Sequence, residues 1–236
     1  MNRTLLRSSS RAVVALAGAI LLVAATSGPA SAGQDLCIST NGVVRVQLGT
    51  ATCSSVAGAG NVAIARGAKS NAVAGAQAGD THNKAMASGA NSVAVIGAGS
   101  GNTATASGSR SFAETLGDDN TATARGSGTK ATAWGTNQKA VASADDADAV
   151  VRDGENSVAT ASGVDSFANA NGGNGNIATA SGVNSSAIAI DGEHNTALAR
   201  AANSSATIEE GSNNTAIATT PGCSAIASGD GETVIC

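Results

Sequence analysis

The 236-residue chain reads as an all-β protein, a parallel β-solenoid of about nine two-stranded coils with an alanine core and disulfide-bonded ends. Three observations predict this. Alanine recurs at 63, 72, 85, 94, 104, 113, 122, 131, 140, 149, 159, 168, 178, 187, 197, 206, 216 and 225, in steps of 9 or 10 broken once by a step of 13. Strict self-similarity of this kind marks a repeat architecture. Around each marker alanine the pattern has period two: alanine again at +2 in 14 of 18 copies, small polar residues at −2, and often glycine at +4. Alternation closed by glycine is a short strand followed by a turn, so the marker and +2 alanines face inward. Finally, two Phe, one Trp and no Tyr are too few to fill an ordinary globular core. A disordered chain would need no such register.

Residues 1–32 read as a secretory leader. Arg3, Arg7 and Arg11 precede an apolar run over 13–25, and Ala30-Ser31-Ala32 is a small-residue cleavage site, so the mature chain is expected to begin at Gly33. Its style fits a bacterial source, and the expected address is extracellular. Residues 33–58 differ from the rest. Leu36 to Thr40 and Val43 to Leu48 are runs rich in β-branched residues on either side of Asn41-Gly42, the strongest short hairpin signal, and predict an N-terminal cap. An uncapped solenoid would present an open edge.

Residues 59–222 are the coils. Position −2 alternates between Asn (61, 83, 102, 120, 176, 195, 214) and Ser (70, 92, 111, 166, 185, 204). With two strands per turn like stacks on like, giving an Asn ladder and a Ser ladder; with three, Asn would fall over Ser. Two strands per turn is therefore predicted. The long step after Ala72 places Gly79-Asp80-Thr81-His82 in a bulged edge loop, and Asp145-Asp146-Ala147-Asp148 is expected in another. The rhythm persists through residues 223–236, where Val234 follows Ala225 by nine, and this segment is the C-terminal cap.

Four cysteines in an exported chain imply disulfides. Cys37 and Cys53 lie at one end of the rod and Cys223 and Cys236 at the other. The ends are far beyond the roughly 7 Å between Cα atoms that a disulfide can bridge, so the expected pairs are Cys37–Cys53 and Cys223–Cys236.

Composition narrows the function classes. Without Arg3, Arg7 and Arg11 the 13 basic residues fall to 10 against 17 acidic, a net charge of −7, which disfavours nucleic acid or an anionic membrane as partner. His82 and His194 are isolated, and no nucleophile–base arrangement can be assembled, so no enzyme, cofactor or metal set is expected. Gly172-Gly173-Asn174-Gly175-Asn176 resembles the calcium-binding turn of nonapeptide β-rolls, with Asn176 in place of the acid. Two outward features remain. Phe112, Trp134 and Phe167 share the Ser-type strands and are expected on one face, a candidate interaction patch. Thr103, Thr105, Thr121, Thr123, Thr160 and Thr179 form the opposite face, interrupted by Lys84 and Lys139.

Ser92-Val-Ala-Val-Ile-Gly97, the phrase from Asn156 to Gly163 and Asn214-Thr-Ala-Ile-Ala218 resemble the head repeats of trimeric autotransporter adhesins. That resemblance, over residues 61–229, implies a β-roll that contacts protein or carbohydrate surfaces, with homo-oligomerisation as an implied possibility. The Thr face is similar to those of ice-binding β-solenoids. The expectation is a secreted structural or surface-interaction protein; ice binding, or a β-helix enzyme acting on polysaccharides, is the alternative.

Overall fold

A computed structural model describes residues 35–236, and the leader expected over residues 1–32 lies outside the described residues. Every element is a strand. The cap region and first coils hold β1 (Leu36–Thr40), β2 (Val43–Leu48), β3 (Thr52–Ser55), β4 (Val62–Arg66), β5 (Asn71–Ala74), β6 (Lys84–Ser88) and β7 (Val93–Ile96). The middle holds β8 (Thr103–Ser107), β9 (Phe112–Asp118), β10 (Thr121–Arg125), β11 (Lys130–Thr136), β12 (Lys139–Ala142), β13 (Asp148–Arg152), β14 (Val158–Ala161) and β15 (Phe167–Asn171). Then follow β16 (Ile177–Ala180), β17 (Ser186–Ile190), β18 (Thr196–Ala199), β19 (Ser205–Ile208), β20 (Thr215–Ala218), β21 (Ser224–Ala227) and β22 (Thr233–Ile235).

From β3 onward consecutive strands fall in alternate sheets. Even-numbered strands build a 12-stranded sheet that also contains β1, and odd-numbered strands build a 10-stranded sheet. The strands from β3 on pair with one another in parallel and in register, mostly alanine on alanine: Ala104 opposes Ala122, and Ala122 opposes Ala140. This is the predicted two-strand coil. The turn count is about ten rather than nine, because Cys53 and Val234 occupy the marker phase of two additional strands: β3 pairs with β5, with Cys53 opposite Ala72, and β22 pairs with β20, with Val234 opposite Ala216. Ten strands at about 4.8 Å spacing make the smaller sheet roughly 43 Å long.

The core between the sheets is thin because alanine fills it. All 18 marker alanines are fully buried, and so are the inward +2 residues, including Ile96, Thr115, Val151 and Ile208 where alanine is replaced. With so little apolar area per side chain, the polar ladder carries much of the order. The predicted Asn ladder forms, and each rung does two jobs. The side-chain oxygen accepts from the backbone N–H one coil further on: Asn83 donates to Asn61 at 3.0 Å, Asn102 to Asn83 at 3.0 Å, and Asn120 to Asn102 at 2.9 Å. The side-chain NH2 donates to turn carbonyls, as Asn120 does to Leu116 (2.9 Å) and Gly135 (2.7 Å). Gln138 and Ser157 supply the two rungs that lack Asn, which keeps the ladder continuous. Asn41 begins it and the N–H of Glu232 closes it.

The Ser column behaves differently from the expected ladder. Its hydroxyls donate to the carbonyl three residues earlier in their own turn, as Ser166 does to Gly163 (2.6 Å) and Ser185 to Gly182 (2.7 Å). In this column serine ties off its own turn instead of bonding to the next coil.

Turns at the Asn-side edge stack glycine on glycine. Gly154, Gly173, Gly192 and Gly211 have φ of 91°, 66°, 72° and 86°, and a Cβ on any of them would come within 1.8 Å of the next coil's carbonyl oxygen. Only glycine permits both the left-handed backbone and this approach.

At the N-terminal end the Asn41-Gly42 turn forms with φ of 48° and 84°, and the β1–β2 hairpin runs antiparallel over the first coil. Cys37 is fully buried beneath it. A bulge at Ile38/Ser39 together with exposed Arg45 blunts the outer edge, a recognised guard against strand-on-strand aggregation. Both predicted disulfides are present: Cys37–Cys53 with Cα atoms 5.5 Å apart and Cys223–Cys236 with 6.1 Å. They suit an oxidising, extracellular setting.

Candidate interaction faces

The ten-stranded sheet gathers the three aromatics on its outward side. Phe112 on β9 opposes Lys130 on β11, which opposes Asp148 on β13, which opposes Phe167 on β15. The two Phe rings thus cap one column about 14 Å long, three strand spacings. The next outward column reads Glu114, Thr132, Val150 and Asn169. Beyond it Trp134 lies opposite Leu116, and the guanidinium of Arg152 sits 4.6 Å from the centre of the Trp134 ring, within cation–π range.

Burial here departs from the simple inward–outward alternation. Thr132 is outward in register yet fully buried, and Val150 is 8% exposed. Side-chain atoms of Thr132 (Oγ1), Trp134 (Nε1), Asp148 (Oδ1), Arg152 (Nε), Asn169 (Oδ1) and Asn171 (Oδ1) are shielded from solvent and have no hydrogen-bond partner. Among the described residues, Thr115 and Gln138 alone join them. Burial raises the Asp148 carboxyl above its usual pKa, against the opposing pull of Lys130 and Arg152. Asp148 therefore corrects the sequence expectation: Asp145 and Asp146 are in a turn, but Asp148 opens strand β13 on the patch. Its phase, one before marker Ala149, carried that signal.

The 12-stranded sheet presents the threonines. Thr103 and Thr121 stack in one column, flanked by Lys84 and Lys139. Thr105 and Thr123 stack in the next, which continues through Val141, Thr160, Thr179 and Leu198. Paired threonines on one strand thus occur on adjacent β8 and β10, and the rest of the face mixes Thr with aliphatics.

Among the described residues no group of three or more His, Cys, Asp or Glu could hold a metal ion. His82 and His194 are exposed at left-handed turn positions (φ 58° and 57°), six strand spacings apart, roughly 29 Å. They cannot act on one substrate together. In the long loop the Asp80 carboxylate accepts from the N–H groups of Ala76, Gln77 and Gly99, so it serves as a turn cap. The Gly172–Gly175 turn is likewise structural, with the Gly172 carbonyl accepting from Asn176.

No protein-family model matches this chain, and neither the curated proteins nor the solved structures include a match. The faces themselves therefore carry the functional argument.

Charge divides the two rows of turns. The row leading from the ten-stranded to the 12-stranded sheet exposes Asp118, Asp119, Asp153, Glu155, Asp191, Glu193, Glu209 and Glu210, with Arg152 as its basic neighbour. The opposite row exposes Arg66, Lys69, Arg110, Arg125 and Arg200 beside Asp145, Asp146 and Asp165. One long edge is strongly acidic, and the edge across from it is mixed.

Proposed function

We propose that this chain is a secreted, non-enzymatic surface-interaction protein, adhesin-like in the sense that a rigid rod offers a flat face to another surface. The leader-like start and the two disulfides support the extracellular address. The observation that carries the binding role is the patch on the ten-stranded sheet, where aromatic rings, aliphatics and unpaired polar atoms are gathered on successive strands. Native proteins leave few polar groups both shielded and unpaired, so their concentration here sets this patch apart from the rest of the rod. The test is binding of the mature chain to immobilised matrix and cell-wall surfaces, together with its self-association by sedimentation. The double variant Phe112→Ala/Trp134→Ala should lose binding while keeping its β-type circular dichroism; retention equal to wild type would discard the patch. Release of reducing sugar from a polysaccharide would overturn the non-enzymatic reading.

A second reading has its own observation. The in-register Thr and aliphatic columns of the 12-stranded sheet form a flat, regularly spaced array without an acidic side chain. Such an array suits the ordered water of an ice surface. Thermal hysteresis that disappears in Thr121→Lys/Thr123→Lys would establish it, and an absence of hysteresis in the wild type would remove it.

A further inference from the structure

We propose that the patch on β9, β11, β13 and β15 binds an extended neutral polysaccharide laid across the strands; this rests on reading the patch as the binding face. The chemistry of the unpaired atoms selects the ligand. Asp148, Asn169 and Asn171 carry unpaired acceptors and Trp134 and Arg152 unpaired donors on half-buried side chains, which meet a ligand once they turn outward; Thr132 is fully buried and takes no part. A phosphodiester can only accept and an ammonium can only donate, so neither satisfies the set. A sugar hydroxyl donates and accepts at once. Each of these groups is costly while unpaired, and turning outward to a hydroxyl-rich ligand would relieve that cost.

The apolar part fits the same ligand. A pyranose ring has a C–H face that packs on an aromatic and a rim of hydroxyls that reaches polar neighbours. Phe112, Trp134 and Phe167 supply rings beside the polar atoms. Arg152 stacked on Trp134 holds the indole in place.

Charge and area exclude competitors. Glu114, Lys130, Asp148 and Arg152 balance to zero net charge, while the acidic row beginning at Asp153 and Glu155 repels a polyanion at the patch margin. Four strands by three outward positions cover on the order of 300 Å2, well short of the ~800 Å2 per partner of a stable protein interface. A single glycan chain needs no more.

Affinity electrophoresis of the mature, oxidised chain tests this, with gels containing hydroxyethylcellulose, glucomannan or dextran as neutral probes and alginate as the anionic one. Retardation is expected in at least one neutral gel and not in alginate. Trp134→Ala and, separately, Asn169→Ala/Asn171→Ala should weaken it by at least about tenfold, whereas Thr123→Lys on the opposite sheet should not. The Asn variant guards against misfolding of the Trp variant, since the Oδ1 atoms it removes are unpaired. Retardation by alginate alone, or neutral-gel retardation undiminished in both patch variants, would overturn the proposal. No retardation anywhere, with Phe112→Ala/Trp134→Ala still abolishing binding to a protein-coated surface, would sink the glycan but keep the binding face. No retardation together with no effect of the double variant would sink both.

Discussion

Asn120 offers the sharpest test of how the rod is held together. Its side chain is fully buried, accepts from the Gln138 N–H at 2.8 Å, and donates to the carbonyls of Gly135 at 2.7 Å and Leu116 at 2.9 Å. Asn120→Ala would leave at least one buried donor and one acceptor unpaired, a cost of roughly 2–6 kcal/mol. That is a large fraction of the ~5–15 kcal/mol by which domains are stable. Asn120→Ser should be milder, because Ser157 already fills a rung, its Oγ accepting from Asn176 at 3.1 Å. Asn120→Asp should be worst at neutral pH. One carboxylate oxygen would still accept, but the other would face two carbonyl oxygens with no proton between them. Protonation would relieve this, so the folded pKa of the new Asp is raised above its unfolded value of about 3.9. Its deficit should then be smallest below about pH 4 and grow as pH rises through the folded pKa. Urea unfolding followed by circular dichroism at pH 4 and pH 7, against wild type at each pH, reads all three variants. Equal stability of the Ser and Asp variants at pH 7, or an Ala variant within about 0.5 kcal/mol of wild type, would refute the ladder as a main source of order.

Three further outcomes are expected. Ala122→Leu adds bulk to a fully buried position facing the other sheet, and overpacking should cost about 1–3 kcal/mol or more, read as a fall in melting temperature. Cys223→Ser/Cys236→Ser opens a bridge of sequence separation 13 and should cost about 3 kcal/mol, with hydrogen exchange accelerated first in β21 and β22 and unchanged in the middle coils. Asp148 has a folded pKa raised by burial, so the stability it contributes is present below its unfolded pKa and lost as pH rises through the folded one. Asp148→Asn should therefore raise the melting temperature at pH 7 relative to pH 4, compared with wild type in the same buffers.

Local chemistry and period account for most of what was legible in the sequence. Period-two alternation assigns every strand to a sheet face, because successive side chains must point to opposite sides. The Asn and Ser phases reveal two strands per coil, because residues of one phase fall in one column. Asn41-Gly42 announces its hairpin, because both positions need positive φ. The limited reach of a disulfide then pairs the four cysteines. Other features depend on neighbours from different coils. Gln138 and Ser157 look like breaks in the Asn pattern and become rungs once a backbone N–H one coil away is placed against them. Serine occupies a column as regular as that of Asn yet bonds within its own turn, whereas Ser157 in the Asn column accepts from the next coil; the partner depends on the turn that borders the column, which phase alone does not give. Cys53 is spaced like a marker alanine, but its membership of the first coil follows only from its pairing with Ala72. The patch is the clearest case. Phe112, Lys130, Asp148 and Phe167 are separated by 18 or 19 residues along the chain and by one strand spacing in space. Composition and period determined the coil, its alanine core and its closed ends; stacking decided which distant side chains share a face, because that depends on how many residues each turn consumes.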